Sequence, residues 1–255
     1  MTRIIAHRGN SSEAPENTTA SFESAIGAGA TLLECDVQMT ADGHIVVIHD
    51  PTLERTGGRA GDVRSLSLAE VQSADVCCAG LFGAAFSPQR VLTLGQLLAS
   101  IKGRARLMVE IKKDSSEEGS DVFERRIAAE IMKSGVRVTP DMETDVALLS
   151  FSTRVLERMA QVLPDAPRGH LFYRDPEDVM FAAAQKTGAI FVMPEKGHVS
   201  KDLVARAAER NLGVATWVCD DPVEFGNLAR LGLLGIGTNR PVAMVRAAAS
   251  DPSFS

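Results

Sequence analysis

Cysteine, tryptophan and tyrosine are scarce in this sequence of 255 residues, which has four cysteines, one tryptophan and one tyrosine. Two of the cysteines are adjacent, and none of the four stands in a Cys-x-x-Cys pair. This spacing excludes a disulfide framework, and a chain long enough to bury a full core has no need of one. We therefore expect Cys35, Cys77, Cys78 and Cys219 to be reduced thiols.

The sequence also lacks a long hydrophobic run and an excess of basic residues. It contains neither a stretch of about 18 apolar residues nor an apolar segment of signal-peptide type. These absences predict a cytoplasmic protein without stable membrane association. Lysine and arginine total 27 against 33 aspartates and glutamates, which gives a net charge of −6 at pH 7. This balance argues against a nucleic-acid partner, and an enzyme for anionic substrates would need local positive charge or a metal ion.

Short apolar runs alternate with helical patterns along nearly the whole chain. Nine segments have the composition of strands: residues 4–7, 32–37, 45–49, 107–112, 147–151, 169–172, 190–193, 214–218 and 235–238. Helical patterns occupy most of the intervals: residues 18–28, 94–101, 122–134, 153–162, 176–187, 200–210, 222–231 and 241–249. Repeated β–α units over this length favour an α/β fold of the TIM (β/α)8 barrel type over a doubly wound sheet.

Nine strand candidates exceed the eight places of such a barrel by one. Only seven residues join segments 32–37 and 45–49, whereas a parallel crossover usually takes about a dozen or more. Asp42-Gly43 within this connection is a hairpin-turn signal. We therefore favour a hairpin over two neighbouring parallel strands. In either arrangement, His49 returns to the end of the barrel where Glu34 lies.

The alternation of strand and helix patterns stops between about residue 51 and residue 91. Glycines and Pro88 surround one short helical pattern there, at residues 68–74. This segment follows His49-Asp50 and is too short for an independent domain. We therefore expect a single barrel domain over residues 1–255, with a small insertion after the His-Asp motif.

Polar residues lie near the C-terminal ends of the predicted strands, which is where the active sites of barrels are built. Glu34 and Asp36 are two residues apart and therefore project from one face of their strand. The same alternation places Glu110 with Lys112. Histidines end two further strands, at His7 and His49. Each motif alone is weak, but their convergence at one end of a barrel is far more specific.

Three carboxylates at one barrel mouth repel each other and cannot all ionise unaided. A hard divalent cation would offset that repulsion, and oxygen ligands suit Mg²⁺ or Ca²⁺ better than Zn²⁺. The cation would also supply the local positive charge that the net charge of −6 does not. We therefore expect a divalent cation, Mg²⁺ or Ca²⁺, at this end of the barrel.

An ordered set of motifs runs from residue 3 to about residue 243: His7-Arg8-Gly9, Pro15-Glu16-Asn17-Thr18, Glu34-x-Asp36-Val37, Asp42-Gly43, His49-Asp50, Arg55-Thr56, Glu110-Ile111-Lys112, Ser150-Phe151 and Trp217. Together these motifs resemble the glycerophosphodiester phosphodiesterases. The resemblance implies a TIM barrel with a small insertion after the His-Asp motif. It also implies a metal-dependent enzyme that hydrolyses glycerophosphodiesters to sn-glycerol 3-phosphate and an alcohol.

Carried over residue by residue, the resemblance implies a role for each site residue. The metal ligands would be Glu34, Asp36 and Glu110, and the acid–base pair would be His7 and His49. Arg8 and Lys112 would contact the phosphate, and Trp217 and Phe151 would line the glycerol side. The glycerol 2-hydroxyl would attack the phosphorus, with one histidine as base and the other as acid, and water would then open a cyclic phosphate. The sequence leaves open which histidine is the base, and it leaves the oligomeric state open as well.

The chain departs from the family pattern at two places. It has Thr238-Asn239-Arg240-Pro241 where the family commonly shows Thr-Asp-x-Pro, and Trp217-Val218-Cys219-Asp220 where the family shows Trp-Thr-x-Asn. The first departure replaces a carboxylate by Asn239, and it puts in doubt only a supporting or folding role of that position. All of the implied metal ligands and both acid–base histidines are present. The second could alter specificity on the glycerol side.

Three other functions are alternatives to the hydrolysis of glycerophosphodiesters. A lyase like the spider-type phospholipase D toxins shares the two-histidine, Glu-x-Asp plan and would release a cyclic phosphate as its final product. The disulfide pattern of those secreted proteins is absent here. A non-catalytic barrel would bind glycerophosphodiesters without turnover. A metal-dependent isomerase or aldolase of sugar phosphates is the weakest alternative.

We expect the remaining polar residues to have structural roles. His44 is placed in a turn, His170 and His198 in or beside loops, and Asn17-Thr18 at the cap of the first helix. Two roles for Asp50 are equally compatible with the sequence: it orients His49, or it only begins the insertion. One tryptophan and one tyrosine are too few for a choline-binding aromatic cage, so we expect broad tolerance of the alcohol group.

Overall fold

The computed structural model, which describes residues 2–112 and 120–250, confirms the barrel. Eight parallel strands form the wall: β1 (Arg3–His7), β2 (Leu32–Met39), β4 (Arg106–Ile111), β5 (Val146–Ser150), β6 (Arg168–Phe172), β7 (Phe191–Pro194), β8 (Gly213–Thr216) and β9 (Gly235–Thr238). Strand β1 pairs with both β9 and β2, which closes the barrel. Residue 1 and residues 113–119 and 251–255 of the domain expected from the sequence lie outside the described residues.

The remaining strand, β3 (Ile45–Val47), forms the predicted hairpin with β2. Strand β2 extends beyond β1, because their pairing ends where His7 meets Glu34. Strand β3 lies antiparallel to this extension, with Val37 opposite Val47. The turn between them requires the left-handed backbone of Gly43, whose φ is +81°. The hairpin therefore brings the chain back to the barrel rim just before His49.

Helices cover the outside of the barrel at the intervals that the sequence predicts. They are α1 (Thr19–Gly27), α5 (Leu94–Ile101), α6 (Val122–Ser134), α7 (Thr153–Val162), α8 (Glu177–Thr187), α9 (Lys201–Ala208), α10 (Pro222–Ala229) and α11 (Pro241–Ser250). Thr18 caps α1 by accepting a hydrogen bond from the backbone N–H of Ser21. Thr93 caps α5 in the same way, and Gln96 completes the capping box.

The segment between β3 and α5 contains only short helices: α2 (Glu54–Gly57), α3 (Leu68–Ser73), α4 (Ala79–Phe82) and a 3-10 turn at Val63–Ser65. Buried side chains of this segment pack on Val46 and Ile48 of the hairpin strand and its continuation. The segment therefore has a small apolar cluster of its own, beside the rim from which His49 projects.

The barrel interior has an apolar lower part and a polar upper part. Apolar side chains from the inner face of the wall form one buried cluster: Ile5, Leu32, Met108, Ala147, Leu149, Leu171, Phe191, Met193 and Ala215. Two residues further along β2 and β4, the inward positions change to Glu34 and Glu110. The apolar cluster is therefore the floor on which the polar residues of the rim stand.

The four cysteines are buried and free, as expected from their spacing. No helix in the described part of the chain combines the length and the apolar composition that crossing a bilayer requires.

Gly169 provides a stability test of the barrel interior. A Cβ atom at this position would lie 2.1 Å from Cε2 of Phe191 and 2.8 Å from Cδ2 of Leu149. Because these rings and methyl groups are buried, Gly169→Ala should lower the free energy of unfolding by about 1–3 kcal/mol in urea denaturation. Gly27→Ala in α1 is the matched control, since a Cβ there meets nothing within 4 Å, and it should raise stability by up to about 1 kcal/mol. Equal effects of the two substitutions would contradict this packing.

Candidate active site

A cavity of about 470 Å³ opens at the C-terminal rim of the barrel. Its wall includes every residue that the sequence places at the site except Asp36, which lies buried beneath it. The polar side of the wall consists of His7, Arg8, Glu34, Gln38, His49, Glu110 and Lys112. The opposite side is apolar and contains Leu149, Phe151, Leu171, Tyr173, Met193 and Trp217. One ligand bound here would therefore meet charge on one side and rings and aliphatic groups on the other.

Three carboxylates meet beneath the polar side. Glu34 and Asp36 share one face of β2, and Asp36 is paired in register with Glu110 of β4. One oxygen of each carboxylate can be chosen so that all three lie within 4.8 Å of one another. All three residues are buried, so water screens their mutual repulsion only weakly.

Two cationic side chains contact this cluster. Nε of Arg8 lies 3.1 Å from Oδ2 of Asp36, and Nζ of Lys112 lies 2.7 Å from Oδ1 of the same carboxylate. Lys112 also pairs with Glu110. Burial acts to raise the pKa of Asp36, but Lys112 and Arg8 outweigh it and hold that pKa below its usual range. The two predicted phosphate contacts thus line the cavity while they neutralise carboxylates.

Glu34 and Glu110 are compensated less completely than Asp36, because the lowering of their pKa values by Arg8 and Lys112 is outweighed by other effects. Burial and the negative charges of Asp36 and Glu110 raise the pKa of Glu34 well above its usual value. Burial and the charge of Asp36 raise the pKa of Glu110 to about 7. Oε1 of Glu34 is buried without a hydrogen-bond partner among the residues that the structure describes. An oxygen-only cluster with an excess of negative charge and an unpartnered oxygen fits a hard divalent cation.

His7 ends β1 and faces the carboxylates. Its Nδ1 lies 2.7 Å from Oδ1 of Asn239, and its Nε2 lies 4.0 Å from Oε2 of Glu34. Burial and the adjacent charge of Arg8 lower the pKa of His7 to about 4. The ring is therefore neutral near pH 7.

His49 lines the same cavity as His7 and has a different partner. Its Nδ1 is 2.7 Å from Oδ1 of Asp50, whose Oδ2 is 2.6 Å from Nε of Arg55. Burial lowers the pKa of His49, and the negative charge of Asp36 opposes that effect. Gln38 donates a hydrogen bond of 2.9 Å to the carbonyl oxygen of His49 and so holds its backbone. Asp50 is thus in contact with the histidine as well as at the start of the insertion.

Glu16 links the two halves of the polar side. It accepts hydrogen bonds from Arg8 at 3.0 Å and from Arg55 at 2.6 and 2.8 Å. Since Arg55 also binds Asp50, a continuous chain of ion pairs joins the loop after β1 to the insertion.

The apolar side contains three aromatic rings in mutual contact. Phe151 and Tyr173 stack at a centroid distance of 4.7 Å. Trp217 meets both rings edge-on, at 5.7 and 5.4 Å. The one tryptophan and the one tyrosine of the chain therefore lie together here. Rings this close fill the space between themselves and do not enclose a cage.

Several residues of the site were not predicted as such. Asn17 was interpreted as part of a helix cap, but it donates a hydrogen bond of 2.8 Å to Oδ2 of Asp36, and Thr18 alone caps α1. Gln38 shares the inward face of β2 with Glu34 and Asp36, so alternation along the strand could have identified it. No local pattern identifies Tyr173, and the sequence marks Asn239 only as a departure from the family pattern.

The three histidines given structural interpretations lie away from the reacting side chains. His44 is in the β2–β3 turn and half exposed, and His198 is in a 3-10 turn at Lys196–His198. His170 is buried on β6, where its ring stacks on Phe172 at 4.3 Å and lies 3.0 Å from the hydroxyl of Thr153.

Comparison with known proteins gives a consistent result. The model of the glycerophosphoryl diester phosphodiesterase family matches residues 7–243. A glycerophosphodiester phosphodiesterase of Caldanaerobacter subterraneus subsp. tengcongensis is 30% identical over 245 residues, which cover 96% of this chain and 96% of that protein.

Solved structures share the fold. The crystal structure of a glycerophosphodiester phosphodiesterase from Agrobacterium tumefaciens is 26% identical, with a TM-score of 0.81, and the match covers 96% of this chain and 100% of that one. A phosphodiesterase from Oleispira antarctica, solved in complex with the product sn-glycerol-3-phosphate, has a TM-score of 0.84 at 22% identity over 98% of this chain and 97% of that one. At 22% identity, the similarity to the Oleispira antarctica structure shows a common fold and nothing more.

The pH dependence of stability tests the structural role of the buried His170. Burial lowers its pKa below the ordinary value, so the native state resists protonation while the unfolded chain accepts a proton. The free energy of unfolding should therefore fall as the pH drops below about 6.5, and His170→Phe should make that fall shallower between pH 7 and pH 5. Urea denaturation at several pH values measures both slopes. Identical slopes for the two proteins would contradict the interpretation.

Proposed function

Because the chain belongs to the glycerophosphoryl diester phosphodiesterase family, we propose that it hydrolyses glycerophosphodiesters to sn-glycerol 3-phosphate and an alcohol with a divalent cation. The observation that carries this proposal is the arrangement of the cavity. Two histidines and a buried cluster of three carboxylates lie on the polar side of one cavity, and an apolar wall stands opposite.

The cation, Mg²⁺ or Ca²⁺, would be held by Glu34, Asp36 and Glu110. The fit is supported by the oxygen-only donor set, by the unpartnered Oε1 of Glu34 and by the raised pKa values of Glu34 and Glu110. When bound, the ion supplies positive charge that offsets the negative charge of the phosphodiester. With the ion present, the excess charge of the site changes from negative to positive.

Arg8 and Lys112 would bind the phosphate oxygens from the same side. A guanidinium has five N–H donors, so Arg8 can keep its contacts with Asp36 and Glu16 and still donate to a phosphate oxygen. The ammonium of Lys112 is a mobile point charge with three donors. Their contacts with carboxylates keep both groups charged and close to the reacting phosphorus.

His7 is proposed as the general base of the first step. Its Nδ1 faces an amide oxygen, which can only accept a hydrogen bond, so Nδ1 carries the proton and Nε2 has the free lone pair. Nε2 also faces the carboxylate cluster and the cavity. The lowered pKa of His7 keeps the ring unprotonated near pH 7, which is the state that a base for the glycerol 2-hydroxyl requires.

His49 is proposed as the general acid of that step. Its Nδ1 faces the carboxylate of Asp50, and a carboxylate partner stabilises the protonated ring more than an amide does. The protonated ring would donate from Nε2 to the departing alkoxide. The 2-hydroxyl oxygen forms a bond to phosphorus as the bond to the alcohol oxygen breaks, and water then opens the cyclic phosphate with the two histidines in reversed roles.

The apolar wall would contact the glycerol carbons through Trp217 and Phe151. The wall contains no open cage for a quaternary ammonium, because its three rings pack directly on each other. This packing supports broad tolerance of the alcohol group. A small-molecule glycerophosphodiester is accordingly the partner that we propose for this cavity.

Replacing either histidine tests the acid–base roles. His7→Ala and His49→Ala should each lower kcat by about 10²–10⁴-fold, since each removes a proton-transfer group while the carboxylates remain. Binding of Mg²⁺ or Ca²⁺, measured as a rise in melting temperature, should persist in both variants. His44→Ala, in the exposed turn, is the control and should retain wild-type kcat. Full activity of either cavity variant would overturn the assignment, and accumulation of cyclic phosphate in the wild type would indicate the lyase instead.

Removing the cation tests the metal dependence. EDTA should abolish activity, and Mg²⁺ or Ca²⁺ should restore it. Glu34→Gln should lower the affinity for the cation at least about tenfold, measured by titrating activity against cation concentration. Losses of that size already follow removal of groups that only support a metal ligand. The control is Glu23→Gln, whose carboxylate pairs with Arg104 on the outer surface. Hydrolysis that resists EDTA would contradict the proposal.

A further inference from the structure

The two departures from the family pattern contain residues that contact each other, and one of these residues contacts His7. Asp220 follows β8, and Asn239 follows β9, in the loops that precede α10 and α11. Oδ2 of Asp220 accepts a hydrogen bond of 2.8 Å from Nδ2 of Asn239. Oδ1 of Asn239 then lies 2.7 Å from Nδ1 of His7. A carboxylate, an amide and an imidazole therefore form one continuous chain.

The carboxylate of Asp220 determines how the amide is turned. Its Oδ1 also accepts the backbone N–H of Asn239 at 2.7 Å and the hydroxyl of Thr238 at 2.9 Å, so the carboxylate is held by three donors. If the amide of Asn239 were reversed, its oxygen would face this carboxylate and the two acceptors would repel each other. The amide nitrogen must therefore point to Asp220, and the amide oxygen must point to His7.

The amide orientation in turn determines the tautomer of His7. An amide oxygen has no proton to donate, so the imidazole nitrogen next to it must carry one. The neutral ring then has its proton on Nδ1 and its lone pair on Nε2, the nitrogen that lies 4.0 Å from Glu34 Oε2 in the cavity. With the amide reversed, the lone pair would be on Nδ1, and Nε2 would present a proton to the substrate.

We propose that Asp220 is a positioning residue that acts through Asn239 to hold His7 in the tautomer with a free lone pair on Nε2. The inference deepens the proposed function, since it concerns the residue that would take the proton of the 2-hydroxyl. It also explains why Asp220 and Asn239 occur together. The chain requires one carboxylate and one amide, and an exchange between the positions preserves one of each. With two amides, the backbone N–H of Asn239 and the hydroxyl of Thr238 would hold the amide oxygen of residue 220, and its NH2 group would face Asn239 and favour the reversed amide there. Two carboxylates would repel each other.

The first readout needs no turnover. Nitrogen-15 NMR of the uniformly labelled, metal-free protein at pH 7 should show the neutral Nδ1–H tautomer for His7, identified by the signal that His7→Ala removes. Asp220→Asn should shift the nitrogen signals of His7 towards the Nε2–H tautomer, because the new amide would present its NH2 group to Asn239 and favour the reversed orientation. The exchanged double variant, Asp220→Asn with Asn239→Asp, should return the ring to the Nδ1–H form.

The second readout is steady-state kinetics with Mg²⁺ present. Asp220→Asn should lower kcat by about 10–100-fold, as removal of residues that orient a functional imidazole commonly does, and should leave KM within about twofold. The double variant should recover kcat to within about fivefold of the wild type. A residue that only supported folding would lower the melting temperature without moving the tautomer.

Two results would overturn the proposal: an unchanged His7 tautomer in Asp220→Asn, or a double variant no more active than the weaker single variant. Failure of the proposed function would have a different signature. In that case His7→Ala would keep full activity, while the tautomer in the metal-free protein would still depend on Asp220.

Discussion

Strands β2 and β4 bring three carboxylates into one buried space, and the repulsion among them sets what the surrounding residues must do. Asp36 can stay ionised because Arg8 and Lys112 lie against it and Asn17 donates to it. Two cationic side chains do not balance three carboxylates. The remaining charge must be offset by a proton or by a cation, and this is the physical reason that a barrel with an overall negative charge can prepare a site for a phosphodiester.

The histidines depend on the same balance but differ in their partners. His7 lies next to an amide and beside Arg8, which favours the neutral ring. His49 lies next to the carboxylate of Asp50, which in turn is fixed by Arg55. Two residues of the same type can therefore take opposite roles in one cavity. The ion pairs through Glu16 tie the insertion that follows His49 to the loop after β1, the strand that ends at His7.

Much of this arrangement could be predicted from the sequence because strands alternate with a period of two. Glu34, Asp36, Glu110 and Lys112 were expected on the inner face for that reason, and the structure brings them together. The short connection containing Asp42-Gly43 predicted the hairpin, which resolves the excess of one strand. The predicted boundaries of the outer helices differ from the observed ones by at most two residues, because caps such as Thr93 mark them locally.

Contacts between distant loops could not be predicted in this way. Asn239 and His7 are 232 positions apart in the chain, and only the closure of β9 against β1 makes them neighbours. Asn17 was assigned to a helix cap because its type and position suit one, while its side chain in fact turns inward to Asp36. Tyr173 joins Phe151 and Trp217 only because three separate loops meet at the rim. Local spacing contains no information on which loops will meet.

The measurement that tests the account most directly is an assay of a panel of glycerophosphodiesters with differing alcohol groups, supplemented with Mg²⁺ or Ca²⁺ and coupled to detection of sn-glycerol 3-phosphate. The account predicts release of glycerol 3-phosphate from several members of the panel and none in the presence of excess EDTA. Binding of these compounds without release of glycerol 3-phosphate, or release that is independent of added cation, would contradict it.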